Sequence, residues 1–144
     1  MFQRILLPVD GTAGSERAIP YALGLAQALD AEVVICHVIS APLTPNMANE
    51  ERDAAQYVAR IAERFRADGV PAKTLVRRGD PPLEINKAAI DWNVDAVVMA
   101  TRGRRRLQKL VLGSVADIVV RESRLPVLLV SSRHKLRKTG NRAA

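Results

Sequence analysis

Five short, mostly apolar runs alternate with longer stretches of helical periodicity, and this alternation restricts the fold more than any other feature of the chain. The runs are RILLPV, EVVICHVI, AKTLVRR, DAVVMA and LPVLLVS. The second is nearly continuous in apolar residues, as expected of a strand covered on both faces. Alternating strands and helices favour parallel pairing with right-handed crossovers. We therefore predict an α/β fold, an open five-stranded, mostly parallel sheet with helices on both faces.

The stretches between these runs contain the residues that start and stop helices. The first predicted helix has Ser15 as its N-cap and ends near Leu29. The second runs from about Ala48 to Ala67 and stops before Gly69, where glycine can adopt the left-handed conformation. A third follows the letters GDPP, with proline in its first turn, and the fourth covers Ser114 to Glu122.

The chain length and its single cysteine limit the classes of protein to consider. A chain of 144 residues is long enough for one buried core and too short for two ordinary domains. Cys36 alone excludes an intramolecular disulfide framework and a four-cysteine metal site, and its apolar surroundings predict a buried, unreactive thiol. The N-terminus lacks the pattern of a signal peptide, and no apolar run is long enough to span a membrane. We expect a cytoplasmic protein without membrane contact.

The net charge of +7 is concentrated in two places. Residues 133–144 carry five basic side chains and no acid, and four arginines lie within residues 102–106. We therefore predict one domain over residues 1–132, followed by a basic, disordered tail over residues 133–144. No helix-turn-helix or aromatic–basic sheet is visible, so any association with nucleic acid would be weak and non-specific.

Several catalytic and nucleotide-binding motifs are missing. The chain has no G-x-x-x-x-G-K-[ST] phosphate loop, no G-x-G-x-x-G after its first strand, no G-x-S-x-G elbow, no H-E-x-x-H and no C-x-x-C. His37 lies in the second strand, where we interpret it as a core histidine, and His134 lies in the tail. We therefore assign no catalytic residue to the chain.

A plausible phosphate site lies in ATRGRRRLQKLVLGS, residues 100–114. Gly103 and Gly113 allow the backbone to approach a ligand closely, and Ser114 begins a helix whose free N–H groups attract anions. The segment starts at the carboxyl end of the fourth strand, and ligands bind at such ends where strand order reverses. The arginines fit two interpretations: a solvated loop, or a cation such as Arg102 that neutralises bound phosphate.

The segment ATRGRRRLQKLVLGSVADIVVRESRLPVLLV resembles the C-terminal signature of the universal stress protein family. The nucleotide-binding members of that family carry G-x-x-G, nine residues, and then G-[ST]. ILLPVDGTAGSERAIPYALGLAQALDAEVVICHVI is similar to the family's first strand, first helix and second strand. The resemblance covers Met1 to Ser132 and implies a Rossmann-like fold of the adenine nucleotide alpha hydrolase type.

The resemblance also implies an ATP site, with Mg²⁺ bound to the nucleotide and no metal held by the protein alone. By its match to the family, Asp10 contacts the ribose and the nearby phosphates or their metal, and the backbone of Val38 holds the adenine edge. The matched glycines and serine bind the triphosphate. The full set of ATP-binding positions implied is Pro8, Val9, Asp10, Val38, Met99, Ala100, Arg102, Gly103, Gly113, Ser114 and Val115.

The function implied is that of a nucleotide-dependent stress-response regulator. Such proteins pair through the last strand, here Pro126–Val130, and we expect a homodimer with a further, unidentified protein partner. Two alternatives remain: a nucleotide-free interaction module of the same fold, and a protein that associates with nucleic acid through its basic tail.

The chain departs from the family's motif at Ala100, which stands in place of the first glycine. If the backbone there is ordinary strand, the change adds one methyl group and ATP binding survives. If the site needs a positive φ, alanine costs about 1 kcal/mol.

Overall fold

Strands and helices alternate along the residues that this computed structural model describes, which are 1–40, 42–101 and 114–131. The strands are β1 (Arg4–Pro8), β2 (Glu32–Ile39), β3 (Ala72–Arg78), β4 (Ala96–Ala100) and β5 (Val127–Val130). The helices are α1 (Ala13–Glu16), α2 (Ile19–Leu29), α3 (Met47–Ala67), α4 (Pro81–Asp91) and α5 (Ser114–Glu122). All five predicted strands are present, each within two residues of its predicted ends.

The five strands form one parallel sheet with the order β3-β2-β1-β4-β5. β1 lies in the middle, where Ile5 pairs with Val33 of β2 on one side and with Ala96 of β4 on the other. The chain first builds outward from β1 to β3 and then returns to the opposite side for β4 and β5. The strand order therefore reverses between β1 and β4, and the crevice outside their carboxyl ends is the expected place for a ligand.

Side chains alternate between the two faces of the sheet, and each face has its own core. Ile5, Leu7 and Ile35 are fully buried on the face where α2 and α3 pack. Leu6, Val34 and Cys36 are fully buried on the opposite face, which α4 and α5 cover. The sheet with helices on both faces confirms the fold class predicted from the alternation of strands and helices.

The first predicted helix is wrong in two respects, because it is two helices and its cap is a different residue. Pro20 lies in the first turn of α2, where its ring and missing N–H prevent a helix from continuing through from α1. Thr12, not Ser15, is the N-cap of α1, and its hydroxyl accepts a hydrogen bond from the Ser15 N–H at 3.1 Å.

The other helix boundaries follow the predicted sequence features. α3 ends at Ala67, and Gly69 adopts a left-handed φ of 79° that a side chain would disfavour. α4 begins after Asp80 with prolines in its first turn. Within the described ranges, no helix has the length and apolar character needed to cross a membrane.

Candidate functional site

A cleft of about 660 Å³ opens at the carboxyl edge of the sheet, where the strand order reverses. Its walls come from the ends of β1, β2 and β4, the β1–α1 turn, and the N-terminal parts of α3, α4 and α5. Seven of the positions predicted to bind ATP line this one cleft: Pro8, Val9, Asp10, Val38, Met99, Ala100 and Val115.

The four remaining predicted positions lie after β4, either before α5 or at its first residue. Arg102, Gly103 and Gly113 lie outside the described residues. Ser114 is the first residue of α5, which places the start of that helix beside Val115 at the cleft wall. The assignment of these four positions to a phosphate site remains a prediction.

Asp10 lies on an exposed turn that is fixed by its own hydrogen bonds. Its Oδ1 accepts from the Thr12 N–H at 2.9 Å and from the Thr12 hydroxyl at 2.6 Å. Its backbone N–H donates to the Ser15 hydroxyl at 3.0 Å. Gly11 follows with a φ of 86°, a conformation that glycine adopts without strain. The turn therefore holds a carboxylate at the end of β1 before any ligand arrives.

Tyr57 of α3 connects this turn to the far wall of the cleft. Its hydroxyl accepts from the Gly11 N–H and donates to Glu16, both at 3.2 Å. The ring packs edge-on against His37, with 5.6 Å between ring centroids. The Nδ1 of His37 donates to the Val9 carbonyl at 2.8 Å, because a carbonyl oxygen can only accept. β1, β2, α1 and α3 thus meet at one hydrogen-bonded cluster.

We expect Tyr57→Phe to lower the free energy of unfolding by about 1 kcal/mol at neutral pH, since the partly buried hydroxyl makes two hydrogen bonds. Burial, followed by the charge of Glu16, raises the pKa of Tyr57 from 10.0 to about 12. An unfolded tyrosine ionises near pH 10 while the folded one stays neutral, so the wild type loses this stability between pH 10 and about 12. Urea unfolding of both proteins should show the difference shrinking over that range, and a constant difference would contradict it.

Ala100 lies inside β4 and pairs with Val130 of β5. It is not one of the residues with positive φ, which among the described non-glycine residues are Asp30 and Asn93. Of the two alternatives for Ala100, the structure supports ordinary strand backbone, so the departure from the family motif adds one methyl group at the cleft edge. Thr101 follows it, is buried, and donates its N–H to the Val130 carbonyl at 2.9 Å.

Cys36 also borders the cleft, yet its environment makes it unreactive. The side chain is fully buried, and burial raises the pKa of its thiol to about 12. The thiolate is the reactive form, so almost none is present at neutral pH. This agrees with the prediction of a buried, unreactive cysteine.

The polar face of α3 forms one wall of the cleft and was not predicted from the sequence. Glu50, Asp53 and Tyr57 line the cleft at spacings of three and four residues. The Glu50 carboxylate forms an ion pair with Arg78 at 2.7 Å and accepts from the Thr44 hydroxyl at 3.3 Å. The spacing marks one helix face, but nothing in the local sequence shows which face turns toward the sheet edge.

The charged residues of the described cleft lining are all acidic, namely Asp10, Glu50 and Asp53. Neither lysine nor arginine occurs among the cleft-lining residues that the structure describes. Over those same residues, no group of three or more His, Cys, Asp or Glu side chains is arranged to hold a metal ion. Mg²⁺ usually binds proteins through one or two carboxylates together with the phosphates of a ligand. Asp10, near the end of β1, is suited to supply one such carboxylate.

Comparison with known proteins gives consistent matches over nearly the whole chain. A model of the universal stress protein family matches residues 1–131. Universal stress protein MJ0531 of Methanocaldococcus jannaschii is 31% identical over 148 residues, covering 94% of this chain and 85% of that protein.

Solved structures share the fold. MJ0577 of the same archaeon superposes with a TM-score of 0.77 at 28% identity, covering 94% of this chain and 99% of that one. A universal stress protein solved in complex with cAMP gives a TM-score of 0.74 at 23% identity, covering 91% of this chain and 98% of that one. At that identity the second likeness concerns the fold.

Proposed function

Because the chain belongs to the universal stress protein family, we propose that it binds ATP in the cleft and acts as a nucleotide-dependent stress-response regulator in the cytoplasm. One observation carries the proposal: seven positions chosen from the sequence line a single cleft of about 660 Å³ at the point of strand reversal. The fold accommodates an adenine nucleotide in the solved universal stress protein that holds cAMP.

The proposed site has a base end, at the end of β2, and a phosphate end, at the start of α5. Asp10, after β1, belongs to the part that holds the ribose. Val38 is half-buried at the end of β2, where its backbone would hold the adenine edge. Asp10, fixed by Thr12, would contact the ribose and stand beside nucleotide-bound Mg²⁺, which supplies charge neutralisation for the phosphates. The start of α5 would present free backbone N–H groups to the phosphates.

Because the lining of the cleft is acidic, binding of a triphosphate there requires added positive charge. Asp10, Glu50 and Asp53 would repel phosphate oxygens at close range. Arg102 follows Ala100 by two residues in the sequence, and we propose that it or a neighbouring arginine neutralises the triphosphate together with Mg²⁺. We assign no general base, and we expect hydrolysis to be slow or absent.

We expect calorimetry with ATP and Mg²⁺ to show one site per chain with micromolar affinity. Ala100→Gly restores the family motif, yet it should change the dissociation constant by no more than about twofold, because Ala100 already lies in ordinary strand backbone. A tenfold gain in Ala100→Gly would contradict that interpretation. Absence of heat from the wild type at millimolar ATP would overturn ATP binding and favour a nucleotide-free interaction module.

We also propose a homodimer through β5, with the residues Pro126–Val130 at the interface. β5 is an edge strand of the sheet, and the Leu128 side chain on it is 46% exposed. An exposed apolar edge invites pairing with another strand, and a second copy of β5 would cover it. Sedimentation velocity should give twice the chain mass of 15.7 kDa.

A further inference from the structure

One carboxylate on the polar face of α3 has no role in the proposed ATP site. Glu50 is occupied by Arg78 and Thr44, and Tyr57 is occupied by Gly11 and Glu16. Asp53 lies between them on the same helix face and also lines the cleft. Among the described residues we find no hydrogen bond or ion pair to its side chain. Of the two cleft-lining carboxylates on α3, Asp53 is therefore the one without a protein partner among the described residues.

The position of Asp53 relates it to the base end of the cleft. It lies one helical turn before Tyr57, whose ring contacts His37 of β2 and whose hydroxyl accepts from the Gly11 N–H after β1. His37 immediately precedes Val38, the residue proposed to hold the base edge. The phosphate end lies instead at the start of α5, on the other face of the sheet from α3. A carboxylate suits the base end, because at the phosphate end it would repel the ligand.

We propose that the Asp53 carboxylate accepts a hydrogen bond from the exocyclic amino group of the bound adenine and so makes the cleft selective for 6-aminopurine nucleotides over purine nucleotides that lack the 6-amino group. The inference rests on the proposed function, since it concerns the base end of the same site. An ionised carboxylate only accepts hydrogen bonds, and the adenine amino group only donates them. A purine without that group offers no donor, and a 6-oxo purine places a carbonyl oxygen against the carboxylate.

The test combines removal of the carboxylate with removal of the amino group. Calorimetry would measure ATP and purine riboside triphosphate, which lacks only the amino group, on the wild type and on Asp53→Ala. We expect the wild type to prefer ATP by about tenfold, since a hydrogen bond to a charged group is worth more than a neutral one but Asp53 is exposed to solvent. In Asp53→Ala the preference should fall below about twofold, as the cycle isolates the pairwise interaction.

Two further variants separate this role from a general effect of charge or folding. Glu51→Ala removes the neighbouring exposed acid, which does not line the cleft, and should keep the full preference for ATP. Asp53→Asn retains an acceptor oxygen of the same size and should keep part of it. Alanine is a better helix former than aspartate, so Asp53→Ala should remain folded, which circular dichroism would verify.

The possible failures are distinguishable. If the wild type binds no nucleotide, the proposed function fails and this inference fails with it. If ATP binds with the same preference in the wild type and in Asp53→Ala, the proposed function stands and the role of Asp53 is wrong. A wild-type preference for GTP over ATP would also overturn it, because a carboxylate can accept from the guanine ring N–H and 2-amino group instead.

Discussion

Gly113→Arg is expected to weaken ATP binding by about a hundredfold or more while leaving the free energy of unfolding nearly unchanged. Gly113 immediately precedes α5, and in the proposed site the backbone N–H groups at the start of this helix bind the phosphates. In that proposed site, a large side chain directly before these N–H groups would keep the phosphates away from them. Loss of two charge-assisted hydrogen bonds corresponds to about 3 kcal/mol, or roughly a hundredfold.

The matched control is Gly24→Arg, which makes the same change of charge and size elsewhere. Gly24 lies on the exposed side of α2, and a Cβ built there meets no atom within 4 Å. It is not part of the cleft lining, so ATP should bind to this variant as to the wild type. Equal losses in both variants would show that added charge, and not the phosphate site, caused the effect. Unchanged binding in Gly113→Arg would remove the start of α5 from the site.

The fold was predictable because its determinants are local in the sequence. Apolar runs such as EVVICHVI identify buried strands without knowledge of their neighbours, and Gly69 marks the end of α3 by its need for a positive φ. The order of the strands, in contrast, could not be predicted from local sequence. Nothing within β1 or β4 shows that they lie side by side, so the cleft between them follows only from the general rule for parallel sheets.

The errors at the site arise where two residues offer the same chemistry. Thr12 and Ser15 both have hydroxyls that can cap a helix, and the choice depends on Asp10, whose carboxylate fixes Thr12 while its N–H engages Ser15. Asp53 was missed for a related reason. Many acids lie on α3, and which of them reaches the cleft depends on how the helix packs on β2 and β3.

Phe65→Ala is expected to lower the free energy of unfolding by about 4 kcal/mol, a large part of the stability of a domain of this size. Among the described residues, Phe65 has the largest fully buried side chain, and it packs into the core beneath α3. Arg64→Ala, at an exposed neighbouring position, should change the same quantity by less than about 0.5 kcal/mol. Equal urea midpoints for the two variants would contradict the packing argument.

The same variant also tests whether stability and binding reside in separate parts of the molecule. Phe65 lies eight residues after Tyr57 along α3, about 12 Å further from the cleft. The folded fraction of Phe65→Ala should therefore bind ATP with wild-type affinity, whereas Gly113→Arg should lose binding and keep its stability. ATP at a hundred times its dissociation constant should raise the unfolding free energy of Phe65→Ala by about 2.7 kcal/mol, as in the wild type. A smaller gain in the variant would mean that the cavity at Phe65 reaches the cleft through α3.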